Sequence, residues 1–355
     1  MTSSDFVLGY NQGWFATYYG SDFTTQWLAA TSAYAGMARP ASGDLGIDGF
    51  FRLVRGCGGQ VVRLWAFENY SKEGCVIATG RRRSSVEGLG PEFQSNVHRV
   101  MQAAARHQVQ VYWTALVGNW ARHWNSRNVP DIDSWKHLHY NILNDRYGAL
   151  HAYNQTALGP LVQLLSGYPE HVYALDLMNE VQGSLRVFWG GDWERARAWI
   201  QTEREFVKGI MPALKVTASS GHHTAVADML DGRLSDLGLN FYDLHLYNDQ
   251  GQIPRMRELG RLALADATPL LLGEFGQCDP TYDDRLQTRV TRRFIHQAYD
   301  HGFLGALGWR LDDFRPDCHL DACRHTYVYP IDTEEQGRVY YARPAVRAIQ
   351  KGVSR

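Results

Sequence analysis

Glu180 in LDLMNEVQG and Glu274 in LLLGEFGQC each close a short apolar run. A run of that length bounded by polar residues reads as a strand buried on both faces. Cleavage of a glycosidic bond needs one carboxyl to protonate the leaving oxygen and a second to attack or stabilise the sugar carbon. Two carboxyls far apart in sequence can meet at one mouth if both sit at the C-terminal ends of strands in a parallel barrel. A single glutamate after a hydrophobic run is ordinarily a solvated strand end. Here Asn179 precedes one and Phe275-Gly276 follows the other, which sets the pair apart. The two carboxyls are expected to face each other at roughly 5–5.5 Å, the separation used in double displacement.

Eight segments have the composition of strands: residues 7–11, 60–67, 109–117, 172–180, 215–220, 241–247, 269–274 and 305–311. Amphipathic stretches intervene at 91–107, 193–211, 253–265, 282–301 and 344–350, the first placing Val97, Val100, Met101 and Ala104 on one face. Strands alternating with helices imply parallel pairing through crossovers. Eight such units predict a single-domain (β/α)8 barrel over residues 1–355. Surplus length falls after strands 1, 3 and 8, at residues 12–50, 118–155 and 312–342, so long loops are expected there. The loop after strand 3 carries Trp120, Trp124, Trp135, His137, His139 and Tyr140. These aromatics either stack on sugar rings or pack on one another.

Residues two apart share a strand face. In FYDLHLY, Asp243, His245 and Tyr247 lie opposite Leu244 and Leu246. In VVRLWAF, Val61, Arg63 and Trp65 lie opposite Val62, Leu64 and Ala66, and in YALDLMNE, Asp176 is in phase with Met178 and Glu180. Buried Arg, Asp and His are costly unless paired, so the polar faces should converge inside the barrel.

Composition narrows the partners. The net charge is −1 with both signs interspersed, which gives no electrostatic footprint for nucleic acid or an anionic membrane. The run Arg81-Arg82-Arg83 is read as a solvated loop. No apolar stretch approaches the ~20 residues of a membrane span. The N-terminus lacks the basic and apolar regions of a signal peptide, so a cytoplasmic protein and a mature secreted form are both open, as is the oligomeric state. Five cysteines leave at least one unpaired. Cys318 and Cys323 in CHLDACRH read as free thiols or one loop disulfide, since their spacing with His319 or His325 matches no common zinc pattern.

These residues together resemble the retaining β-glycosidases of glycoside hydrolase clan A, most closely family 5, from GYNQGWF near the start to GWRLDD near the end. The resemblance implies that Glu180 is the general acid/base and Glu274 the nucleophile. It implies supporting roles for Arg63, Asn179, His245 and Tyr247, and substrate contacts from Trp14, Trp65, Asn119, Trp120 and Trp309. VVRLWAFEN and LVGNW lean toward the β-mannanase branch. Leu175-Asp176-Leu177 and Val181-Gln182 depart from it, where those enzymes commonly carry Trp-Glu-Leu and Pro-Arg. The partner implied is a β-linked glycan, and no metal or organic cofactor is required. Glu180 must start protonated and Glu274 ionised, the latter favoured by Arg63 and Tyr247.

Two rival readings remain at this level. A metal-dependent barrel hydrolase would usually carry an HxH pair at the end of strand 1, where this chain has Asn11, and His137-Leu138-His139 is read as lying in a loop. A non-catalytic carbohydrate-binding barrel typically lacks one catalytic carboxyl, and both are present. Within the catalytic reading β-mannan comes first, β-glucan second and another β-linked or short glycoside third, with transglycosylation sharing the same covalent intermediate.

Overall fold

A computed structural model describes residues 5–13, 46–67, 76–79, 82–117, 132–247, 255–276, 283–311, 326–333 and 337–353. The barrel strands are β1 (Val7–Asn11), β2 (Val61–Trp65), β3 (Gln110–Val117) and β4 (Val172–Asn179). They continue with β5 in two pieces (Val216–Thr217 and Ser219–Ser220), β6 (Tyr242–Tyr247), β7 (Leu270–Gly276) and β8 (Gly305–Gly308). Every pairing is parallel, and β1 pairs with both β2 and β8. The first piece of β5 pairs with β4 and the second with β6, so the ring closes at Ala218. This is the expected (β/α)8 barrel.

Helix formation follows the sequence closely where its signals are strong. Pro91 opens the helix Pro91–His107, Glu92 sits in its first turn and Arg106 and His107 in its last, in line with the helix dipole. Val97, Val100, Met101 and Ala104 are fully buried. The observed helices Trp193–Ile210, Met256–Ala265, Asp284–Asp300 and Val346–Lys351 match the expected stretches to within a few residues.

Face alternation sorts the core into two. Val62, Leu64, Ala66, Leu244 and Leu246 join the large apolar cluster shared with the helices. Val61, Tyr112, Tyr173, Ala174, Phe241, Leu271 and Leu307 form a smaller cluster. In β2 and β6 the polar residues share the phase of this second set.

Part of the surplus length is folded. The helix Gly46–Gly56 ends the segment after β1, and the helix Ile132–Leu143 lies within the segment after β3. His137-Leu138-His139 is therefore helical, not a loop. His139 is buried, its Nε2 is 3.0 Å from Ser184 Oγ, and its ring packs against Phe188. Tyr140 also meets Phe188. Burial pushes the His139 imidazole down to about 3, as expected for a neutral core histidine. For these two residues packing, not sugar stacking, explains the aromatic character. A hairpin of Val76–Thr79 and Ser85–Leu89 follows β2, and another of Val328–Thr333 and Gly337–Ala342 follows β8. Arg82 and Arg83 are exposed, and Arg83 lies over the Tyr147 ring. Among the described residues no helix is long and apolar enough to cross a membrane.

Candidate active site

Arg63 anchors the site from the middle of β2. It is fully buried, and its Nη1 donates to Glu274 Oε1 at 2.8 Å. Its Nη2 donates to Asp176 Oδ2 at 2.6 Å and to Asn179 Oδ1 at 2.7 Å. A longer contact of 3.3 Å reaches Asn11 Oδ1. One cation thus ties together β1, β2, β4 and β7. Taking a guanidinium out of water is affordable only because two carboxylates and two amide oxygens receive it. Asp176 is held in turn by the backbone N–H of Ser219 (2.9 Å) and of Met178 (3.1 Å), and by the Ser219 hydroxyl (2.9 Å).

Both glutamates reach the site where strand alternation breaks. In β7, Leu271 belongs to the smaller cluster and Leu270 and Leu272 to the larger. Strict alternation would send Glu274 toward the helices. Pairing with β6 shifts by one residue between Leu272 and Glu274, which sets Glu274 beside His245. Such a bulge re-aims the side chain. Gly273 occupies the irregularity, and a Cβ there would lie 1.8 Å from Asp243 Oδ1. In β4 the expected phase also fails. Met178 joins the large apolar cluster, while Asn179 reaches Arg63. Glu180 then takes a left-handed conformation with φ 51°. A non-glycine residue there costs on the order of 1–3 kcal/mol and persists only if its surroundings hold it. Its backbone N–H donates to Ser219 Oγ at 3.0 Å, and Gly221 is so close that a Cβ would fall 2.3 Å from the Glu180 carboxyl carbon.

The two carboxyls meet across His245. One oxygen of Glu180, one of Glu274 and a ring nitrogen of His245 lie within 4.8 Å of one another. His245 Nδ1 is 3.1 Å from Glu180 Oε1 and 3.4 Å from Glu274 Oε1. The Tyr247 hydroxyl donates to Glu274 Oε2 at 2.8 Å. His222 Nε2 lies 3.5 Å from Glu180 Oε2. Burial is the main influence on Glu274 and raises its pKa. The charges of His245 and Arg63 oppose that, Glu180 adds to it, and the Tyr247 hydrogen bond opposes it again. The help expected from Arg63 and Tyr247 is therefore present, against a larger cost of burial.

Glu180, His245 and Glu274 also have the composition of a metal site. Both Glu274 oxygens, however, already accept hydrogen bonds, one of them from a guanidinium. A divalent cation would have to displace that positive charge or sit beside it.

Arg63, Asn179, Glu180, His245, Tyr247 and Glu274 therefore converge. Trp65 and Trp309 pack ring to ring at 5.6 Å and a 34° tilt, with Trp309 slightly exposed. Trp14, Asn119 and Trp120 lie outside the described residues, as do Trp124, Cys318 and Cys323. Cys57 is buried and free. Three members of the site were not singled out from sequence: Asn11, Ser219 and His222. The doublet His222-His223 directly after β5 was the available signal for the last.

No protein-family model matches this chain, and no characterised protein matches it by sequence. Solved structures do. The β-mannanase of the blue mussel Mytilus edulis superposes with a TM-score of 0.60 at 19% identity, over 85% of this chain and 86% of that one. The β-1,4-mannanase of the sea hare Aplysia kurodai gives 0.62 at 19% identity, over 85% and 87%. An exo-β-1,4-mannosidase from an Opitutaceae bacterium gives 0.63 at 16% identity, over 98% of this chain and 59% of that one. At such identities the likeness establishes fold, and the fold of this chain is the (β/α)8 barrel of the β-mannanases.

Proposed function

We propose that the chain is a retaining β-glycoside hydrolase, with Glu180 as general acid/base and Glu274 as nucleophile, acting on a β-1,4-linked glycan of the mannan type. The observation that carries this reading is the approach of the two carboxyls, with one oxygen of each within 4.8 Å. That is short of the roughly 6.5–9.5 Å that inverting enzymes leave for a water. In the first step Glu274 attacks the anomeric carbon while Glu180 gives its proton to the departing oxygen. In the second, Glu180 takes a proton from water, which displaces Glu274 from the sugar.

The surroundings differ in the sense this mechanism needs. Glu274 receives Arg63 and Tyr247, a cation and a hydroxyl that favour its charged form. Glu180 is flanked by two imidazoles, His222 and His245. Asn179 accepts from Arg63 through its oxygen, which turns its amide into a fixed donor for a sugar hydroxyl next to the reacting carbon. The mannan assignment draws on the second-strand and third-strand motifs and on the activities of the structural neighbours. Screening mannan, cellulose, mixed-linkage glucan and aryl β-glycosides, with product analysis, tests it. Release of β-configured manno-oligosaccharides is expected first. Turnover of glucan alone would overturn the sugar assignment, and turnover of none would overturn the enzyme.

A further inference from the structure

Asp243 lies two residues before His245 on β6, and both side chains are fully buried. Its Oδ2 accepts a short hydrogen bond from the Tyr112 hydroxyl. Among the described residues its Oδ1 has no hydrogen-bond partner, and neither does His245 Nε2. These two atoms lie 3.8 Å apart, just beyond hydrogen-bond reach. Unpartnered buried donors and acceptors are costly, and two of them this close are satisfied together when a small approach lets them share one proton. The fold makes specific room for the pair, because any side chain at position 273 would occupy the place of the Asp243 carboxyl.

We propose that Asp243 is a positioning residue that shares a proton with His245 and so fixes the imidazole with Nδ1–H directed at both glutamates. The proposal rests on the glycosidase reading of that site. With Nδ1 as donor, Glu180 Oε1 and Glu274 Oε1 are both acceptors. The transferable proton of Glu180 is then carried on Oε2, the oxygen beside His222, whose side chain is 16% exposed. During a cycle the Oε2 proton passes to the leaving oxygen and is replaced from the attacking water. The proton between Asp243 and His245 stays in place, so the pair ends each turnover as it began.

The electrostatics are consistent with a contested proton. Burial pushes the Asp243 carboxyl up to about 6 and pulls His245 below its ordinary value, bringing the two toward each other. The other groups facing the pair are Arg63 from β2, Tyr112 from β3, Asp176, Tyr173 and Glu180 from the β4 segment, and Glu274 from β7. Without Asp243 a neutral imidazole would still offer Nδ1–H to the glutamates, but Nε2 would be bare.

Nitrogen NMR of His245 in the unliganded protein at pH 6 tests this without requiring turnover. In the wild type, Nδ1 should give a protonated-type signal and Nε2 one between protonated and bare. Asp243→Asn should move Nε2 to the bare range. It should also lower kcat on natural glycans about tenfold or more with little change in KM, sparing aryl glycosides that need less protonation. Should Asp243→Asn fail to fold, Tyr112→Phe removes only the donor to Oδ2. It should draw the shared proton toward Asp243 and shift Nε2 alone. An unchanged Nε2 signal in the folded variant, or a bare Nδ1 in the wild type, would overturn the proposal. Absence of turnover on every glycan, with these signals as expected, would sink the glycosidase reading and not the proton sharing.

Discussion

Glu274 and Glu203 are both buried carboxyls, one at the C-terminal end of a barrel strand and the other on the helix Trp193–Ile210 outside the barrel. Glu274 meets a guanidinium, a tyrosine hydroxyl and an imidazole. Among the described residues Glu203 meets one amide, the Asn154 side chain at 2.8 Å, while its Oε2 and Asn154 Oδ1 have no partner. Burial accordingly pushes Glu203 up to about 8, with only the amide to oppose it. What converges on a buried carboxyl thus decides how strongly the cost of burial is opposed. The barrel mouth, where strands from all sides end together, is the place in this fold able to deliver a cation and several donors to one oxygen pair.

The comparison is broken most forcefully by removing the ionisable groups at the mouth. Glu180→Ala should cost natural glycans about 10²–10⁴ in kcat, the usual range for general acid catalysis, while activated aryl glycosides lose less in the first step. Equal losses on both substrate types would remove Glu180 from the acid role. Arg63→Ala leaves Asp176 and Glu274 buried without their cation. It should destabilise the fold by about 3–5 kcal/mol, read by denaturant unfolding, and abolish activity. Stability unchanged from wild type would contradict the ion network.

Tyr247→Phe is milder. A hydrogen bond to a charged group is worth about 1.5–3 kcal/mol, so kcat/KM should fall roughly tenfold to a hundredfold. The lost donor favoured ionised Glu274, so the acidic limb of the pH profile should move to higher pH. A limb that stays put, or moves to lower pH, would show that Tyr247 does not support the charged form.

Glu203→Gln sharpens the other half of the comparison and has the smallest effect. The folded carboxyl is raised to about 8 from an ordinary 4.5. Between those values the unfolded chain gives up the proton and the folded chain keeps it, so stability falls as pH climbs through that window. The variant has no such proton to lose. Its melting temperature should match wild type near pH 4.5 and exceed it by a few degrees at pH 8. A constant difference across the window would mean that Glu203 is ionised in the fold.

The barrel was legible because eight apolar runs and the helices between them repeat one pattern, and inward polar faces in β2 and β6 followed from period-two alternation. Arg63, His245 and Tyr247 were found that way. The two glutamates were legible by motif, but their aim was not. Glu274 turns inward through a one-residue shift at Gly273, and Glu180 through a left-handed backbone, and neither break shows in a hydrophobic pattern. Met178 was placed on the wrong face for the same reason. Ser219 and Asn11 were missed because short polar residues at strand ends look alike whether solvated or bonded to a buried partner. The helix over Ile132–Leu143 was hidden by its aromatic composition, which resembles a stacking loop as closely as a packed one.

The assignment of roles to the two glutamates is tested most directly by azide rescue of Glu274→Ala. If Glu274 is the nucleophile, the variant folds but does not turn over. Azide then attacks the face that Glu274 has vacated, and the product is the α-glycosyl azide. A β-glycosyl azide would mean that the covalent intermediate still forms and that the two roles are reversed. Undiminished activity without azide would contradict the glycosidase mechanism itself.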